Sequence, residues 1–206
     1  MLIDHHCHLD YPALARDRDG VLARAAAAGV GLLVTISTRV REFATIRAII
    51  EAHDNVYGTI GTHPHEAGNE RDVTLEEILA PAAHPKIVGI GEAGLDYFYD
   101  KAPRADQMAG FRRHIEAARI TGLPLVIHTR DADDDTAAVL QEEMARRPFK
   151  AVLHCYTGGQ RLADVAVALG LYVSFTGVIT FKKSEALRAI AASIPLDRLL
   201  VETDAP

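Results

Sequence analysis

Residues 2–8 read Leu-Ile-Asp-His-His-Cys-His. Side chains alternate along a strand, so His6 and His8 share a face. Two imidazoles on one face at a strand end can chelate one cation. His5 and Cys7 share the opposite face and offer a second register. His6 and His8 are preferred because they lie nearer the strand's end. Further donors close later apolar runs. Glu92 follows Val88-Gly89-Ile90-Gly91, His128 follows Leu125-Val126-Ile127, His154 follows Ala151-Val152-Leu153, and Asp204 follows Leu199-Leu200-Val201-Glu202-Thr203.

A carboxylate directly after a buried strand is costly unless it is paired or metal-bound. Glu92 has two oxygens and could bridge two cations. Asp204 could ligate a cation and also take a proton from water. Glu202 shares its face and fits three roles: ligand, orienter of a ligand, or partner of Arg198. Asp96 reads as a turn residue or a partner to a ligand. His63 and His65, in Gly61-Thr62-His63-Pro64-His65, sit where proline breaks the strand. They are expected to line a substrate pocket. Arg130 lies just past His128, and Lys182 and Lys183 follow the seventh apolar run, near where barrels often hold phosphate. Oxygen and nitrogen donors suit Mg²⁺, Mn²⁺ or Zn²⁺. A structural zinc site rich in cysteine is excluded, because the chain has only 2 Cys.

These donors need a scaffold that gathers strand ends. Apolar runs at 2–6, 30–36, 56–61, 86–91, 124–128, 150–154, 172–175 and 198–202 are continuous rather than alternating, as for strands buried on both faces. Helical patterns separate them. Phe43, Ile46 and Ile50 fall on one face, as do Met108, Phe111, Ile115 and Ala118, and Leu162, Val165 and Leu169. Gly29, Gly122 and Gly170 stand where left-handed helix ends are expected. Thr74 with Glu77 forms a capping box. Eight strands alternating with helices give a (β/α)₈ TIM barrel, with an open doubly wound sheet as the alternative. A closed barrel brings the five donor-bearing strand ends to one mouth and sets Asp204 beside His6 and His8.

The bulk numbers agree. The chain has 206 residues, 49% hydrophobic and 24% charged, and reads as a single domain over 1–206. The net charge of −6 argues against broad coating of nucleic acid, not against an enzyme that meets a phosphodiester through cations. No run is apolar enough to span a bilayer, and the start lacks a basic leader region. Cys7 and Cys155 are read as reduced, buried thiols. A cytoplasmic location is expected, with no membrane contact and no obligate protein partner.

Several stretches together resemble the TatD family of metal-dependent deoxyribonucleases, within the amidohydrolase-like barrels. They are Asp4-His5-His6-Cys7-His8-Leu9, Gly61-Thr62-His63-Pro64-His65, Gly91-Glu92-Ala93-Gly94-Leu95-Asp96, His128-Thr129-Arg130-Asp131-Ala132, His154-Cys155-Tyr156-Thr157-Gly158, Thr176-Gly177-Val178-Ile179-Thr180-Phe181-Lys182 and Glu202-Thr203-Asp204-Ala205-Pro206. They come in the family's order and cover the chain. The resemblance implies two divalent cations, Mg²⁺ or Mn²⁺ in function. His6, His8, Glu92 and Asp204 would hold one; Glu92, His128 and His154 would hold the other. It implies cleavage of DNA, mainly single-stranded, from the 3′ side. Members of the family continue past Asp-Ala-Pro, so the helix after strand 8 is expected to be missing here.

The expected reaction is hydrolysis of a phosphodiester at a two-cation site. Glu92 and Asp204 would be the catalytic carboxylates, with Asp204 as general base. Arg130 and Lys182 would offset phosphate charge, while His63, His65 and Glu202 would complete the substrate site. Two rivals stand beside this. One is an amidohydrolase acting on a small molecule, for which a modified Lys at the end of strand 4 would be expected; the only nearby Lys, Lys86, opens that strand. The other is a truncated, inactive metal-binding barrel.

Overall fold

A computed structural model describes residues 1–206. Eight parallel strands pair in chain order: β1 (Leu2–Cys7), β2 (Val30–Thr35), β3 (Val56–Ile60), β4 (Ile87–Asp96), β5 (Leu125–Arg130), β6 (Ala151–Leu153), β7 (Tyr172–Phe175) and β8 (Leu199–Val201). Between them lie α1 (Pro12–Ala15), α2 (Arg18–Ala27), α3 (Phe43–Ala52), α4 (Leu75–Ala82), α5 (Arg104–Thr121), α6 (Asp133–Arg146), α7 (Gln160–Ala168) and α8 (Glu185–Ser193). This is the (β/α)₈ barrel read from the sequence. No helix follows β8 within residues 1–206.

The chemistry of each element is local. Thr74 and Glu77 form the reciprocal capping box that starts α4. Gly29, Gly122 and Gly170 take φ of 90°, 73° and 75° just past α2, α5 and α7, a conformation cheap only for glycine. The apolar stripes read from the sequence bury their central residues, among them Ile46, Ile50, Phe111, Ile115 and Leu162. Together with the outward side chains of the strands they form one apolar layer between sheet and helices.

Two strands depart from expectation. The strand expected at 86–91 runs on to Asp96, so Glu92 lies inside β4 rather than after it. The cause is a register shift between Ile90 and Ala93, opened by Gly91 at φ 114° and Gly94 at φ 152°. A Cβ on Gly94 would stand 2.0 Å from the His128 carbonyl oxygen; β4 and β5 can approach this closely only without it. By contrast β6 is short, ending at Leu153, and leaves His154 just beyond.

Closure between β8 and β1 is made by the segment after β8. Asp204 N–H donates to the His6 carbonyl at 2.9 Å, and His8 N–H donates to the Ala205 carbonyl at 2.7 Å. Cys7 and Ala205 pair in parallel. The outer side of this seam is bare: Val201 is 63% exposed and Leu2 60%.

Candidate metal centre

Glu92 is the hub of the barrel mouth. It is buried, and its two oxygens face different groups. Oε2 lies 3.4 Å from His6 Nε2 and 3.9 Å from His8 Nε2. Asp204 Oδ1 completes that side, 3.4 Å from His6 Nε2 and 3.5 Å from His8 Nε2. Oε1 lies 2.7 Å from His154 Nε2, 2.9 Å from His128 Nδ1 and 3.3 Å from His63 Nε2. All six residues expected as ligands therefore converge. His63, expected only to line the pocket, reaches the Oε1 group as well.

Register on β1 is settled by the same geometry. His6 and His8 face Glu92. His5 turns its Nε2 to Ser174 Oγ at 2.8 Å and to Glu202 at 3.1 Å. Cys7 is buried in the apolar layer. Burial pushes the Cys7 thiol far up, and pushes Cys155 up to about 12, so neither is a ready thiolate.

The donor set fits divalent cations. Buried His6 Nε2 and Glu92 Oε2 have no hydrogen-bond partner although they face each other. A buried polar atom without a partner is costly. Two donors at about 2.1 Å from one cation stand roughly 3.0–3.4 Å apart, and the spacing of these two falls in that range. Three groups can each gather around one ion: His6, His8 and Glu92; His63, Glu92 and His128; and His6, His154 and Glu202.

Electrostatics split the five cluster imidazoles: two are kept in ligand form, whereas carboxylate neighbours overcome burial and raise His8, His128 and His154. Burial pushes His6 down to about 3 and His63 down to about 4, leaving both neutral. His128 moves the other way. Burial works against its charge, but hydrogen bonds to Asp96 and Glu92 lift it to about 9. Burial opposes ionisation of Glu92 too, yet His154, His63 and His128 hold it well below the usual carboxylate range.

Asp96 supports the ring positions. Its Oδ2 accepts from His65 Nε2 at 2.9 Å and His128 Nε2 at 3.0 Å. Its Oδ1 accepts the amides of Phe98 at 3.1 Å and Tyr99 at 2.8 Å. Gln107 on α5 grips the same residue, accepting the Asp96 amide at 2.8 Å and donating to its carbonyl at 3.2 Å. His114, two turns further along α5, accepts the Thr62 amide at Nε2 and bonds the Gly110 carbonyl through Nδ1. That fixes the approach to His63. Glu70 accepts the amides of Val40 and Arg41, each at 2.9 Å, and the Thr62 hydroxyl. Gln107, His114 and Glu70 were not singled out in the sequence.

Three expected substrate-binding residues do not line the mouth cavity itself. Glu202 is buried behind His154, accepting the Cys155 amide and lying 3.8 Å from His154 Nδ1. Burial lifts it to about 7. It lies outside the mouth cavity and meets the cluster from behind, in the group it forms with His6 and His154. Lys182 is exposed in the turn after residues 177–180 and lies outside the mouth cavity. Arg130 ends β5 with its guanidinium over the Phe98 and Tyr99 rings, 4.4 and 5.0 Å from their centroids. It faces a neighbouring cleft with Asp131 and Asp133. The mouth is a cavity of about 650 Å³ whose walls include Tyr11, His63, His65, Glu92, Tyr99 and Asp204.

A closed barrel with an imidazole–carboxylate cluster at its C-terminal mouth is the frame of the metal-dependent hydrolases. The chain belongs to the TatD family: residues 3–206 match the model described as "TatD related DNase". It is 41% identical over 208 residues to the uncharacterized metal-dependent hydrolase YcfH of Escherichia coli (strain K12), covering 100% of this chain and 77% of that protein. It is 37% identical to the uncharacterized metal-dependent hydrolase YabD of Bacillus subtilis (strain 168), covering 100% and 80%. The crystal structure of YjjV, a TatD homologue from Escherichia coli K12, superposes with a TM-score of 0.91 at 33% identity, covering 100% of this chain and 79% of that one.

Proposed function

We propose that the protein is a phosphodiesterase that shortens single-stranded DNA from its 3′ end, using two divalent cations, Mg²⁺ or Mn²⁺. The observation that carries this reading is Glu92, one carboxylate with imidazoles gathered at each of its oxygens. His6, His8 and Asp204 would hold a cation on the Oε2 side, and His63, His128 and His154 one on the Oε1 side. Bound there, the cations would supply Lewis acidity and neutralise phosphate charge.

The chain's own groups supply the rest. Asp204 is the accessible carboxylate of the cluster, with 29% of its side chain exposed. Burial disfavours its charge, but the His8 hydrogen bond together with the nearby His154 and His6 outweighs that and holds Asp204 below the usual range. It is therefore ionised and able to take a proton from an attacking water at Oδ1 or Oδ2. His65, anchored by Asp96, lines the wall that substrate would pass. Arg39 also lines the mouth but is paired with Glu42 and Glu66, so phosphate charge is left to the cations.

The amidohydrolase reading has less support. Lys86 donates its ammonium to the carbonyls of Ile50 and His53 at the start of β4, far from any bridging position. A cytoplasmic setting goes with the proposal, and Cys7 and Cys155 are both free thiols. No helix is long and apolar enough to cross a membrane.

The test is degradation of 3′- or 5′-labelled single-stranded oligonucleotides with Mg²⁺, Mn²⁺ or EDTA, beside Glu92→Ala. Metal-dependent shortening from the 3′ end, absent in the variant, is expected. Full activity of Glu92→Ala in a chelated buffer would overturn the mechanism.

A further inference from the structure

Beside the metal cluster the chain exposes two large rings. Phe98 is 54% exposed and Tyr99 50%. They follow β4 directly, and their ring planes meet edge to face at 4.8 Å. Exposing rings of this size forgoes the burial that would stabilise the fold, and side chains in a floppy loop would collapse onto the nearest apolar surface. These cannot, because their backbone is pinned: both amides donate to Asp96 Oδ1.

That pin has a second end. The other oxygen of Asp96 holds His65 and His128. One buried carboxylate thus registers the aromatic pair to the reacting centre. Tyr99 stands 5.3 Å from the His65 ring and forms part of the mouth wall. Positive charge is grouped with the rings. Arg130 lies over both of them, and the Lys101 ammonium is 5.4 Å from the Tyr99 centroid. Flat apolar faces interleaved with cations, at the edge of a phosphate-cleaving centre, match the chemistry of an unpaired nucleotide: a base to stack and a backbone to neutralise.

We infer that Phe98 and Tyr99, with Arg130, form a base-stacking platform that holds a nucleobase of single-stranded substrate next to the scissile phosphate. This rests on the phosphodiesterase reading and adds to it. Stacking is blind to base identity but demands an unstacked base, so the platform would select single strands over duplex without selecting sequence. It also gives Arg130 a role away from the cleft's acidic side.

The experiment separates this inference from the reading beneath it. Phe98→Ala, Tyr99→Ala and Phe98→Trp proteins are compared with wild type on three phosphodiesters: a single-stranded decamer, an abasic decamer and bis-p-nitrophenyl phosphate, all with Mn²⁺. Binding of a decamer carrying 2-aminopurine is followed separately by fluorescence, with EDTA present so that nothing is cleaved. Each alanine variant should raise KM for the base-bearing decamer on the order of tenfold, with kcat and both base-free substrates unchanged. Phe98→Trp should retain wild-type KM. The wild type should quench 2-aminopurine, and the alanine variants should quench it less. Equal losses on base-bearing and abasic strands, or quenching unaffected by either alanine, would overturn the platform. A wild type that cleaves none of the three substrates refutes the phosphodiesterase reading, while the fluorescence arm still decides the platform.

Discussion

The carboxylate of Asp4 accepts two hydrogen bonds from Thr203, from its amide at 3.1 Å and its hydroxyl at 2.6 Å. The two residues lie on opposite sides of the barrel seam. Asp4 is buried on β1, and Thr203 sits one residue before the ligand Asp204. Hydrogen bonds to a charged group contribute about 1.5–3 kcal/mol. Asp4→Ala should therefore lower unfolding stability by about 2 kcal/mol, and Thr203→Val by about 1 kcal/mol. Urea titration of both single variants and the double variant checks the pairing. Strictly additive losses would rule out the coupling.

Asp96 acts on the cluster through His65 and His128. Asp96→Asn keeps the shape but replaces one acceptor oxygen with a donor amide. Removing such an orienting partner weakens metal affinity by about 10–100-fold. Competition with a fluorescent chelator should show the weakening on one cation only, the one nearer Glu92 Oε1. Equal weakening of both cations, or of neither, would contradict the geometry.

Cations should stabilise the fold by linkage. A ligand at a hundred times its Kd adds about 2.7 kcal/mol. Mn²⁺ should therefore raise the melting temperature of the wild type and leave Glu92→Gln unmoved, since that variant loses the carboxylate common to both sides. Elemental analysis should find close to two Mn per wild-type chain and none in the variant. A melting temperature that rises equally in both proteins would place the ion elsewhere.

His114 makes the fold acid-sensitive. Burial pushes it down to about 4, from 6.5 in an exposed chain. Between those values the unfolded chain binds a proton that the folded protein does not, so stability falls as pH falls through that window. The loss at pH 4 amounts to about 3 kcal/mol. His114→Gln should start less stable at pH 7, because the Thr62 amide and the Gly110 carbonyl lose their fitted partner. It should also show a shallower decline between pH 6.5 and pH 4. A variant whose decline is as steep as wild type would assign the effect to other groups.

Much of this was legible in the chain because βα units carry strong local signals. The continuous apolar runs, the glycines ending α2, α5 and α7, and the Thr74 capping box each act within a few residues. The ligands were legible for a related reason: a buried strand that ends in a polar group must place that group at the mouth. What escaped notice depends on distance through space. Glu92 was placed after its strand because a bulge built on Gly91 and Gly94 cannot be read from apolarity alone. Glu202 and Asp204 share a face in sequence, yet Asp204 takes a left-handed φ of 56° and reaches the mouth while Glu202 stays behind His154. Gln107 and His114 did leave a trace. They interrupt the stripe of Phe111, Ile115 and Ala118 at helical spacing, where a polar side chain must find a buried partner.

The seam also divides the donors by their order along the chain. A growing chain delivers His6 and His8 first, Glu92 near the middle, and then His128 and His154. Asp204 emerges last, carried by the segment that joins β8 to β1. The imidazoles at Glu92 Oε1 all precede β8 in the chain, whereas the Oε2 side is completed only by Asp204. One side of the centre is thus built wholly from strands and strand ends within the barrel wall, and the other depends on the segment that closes it.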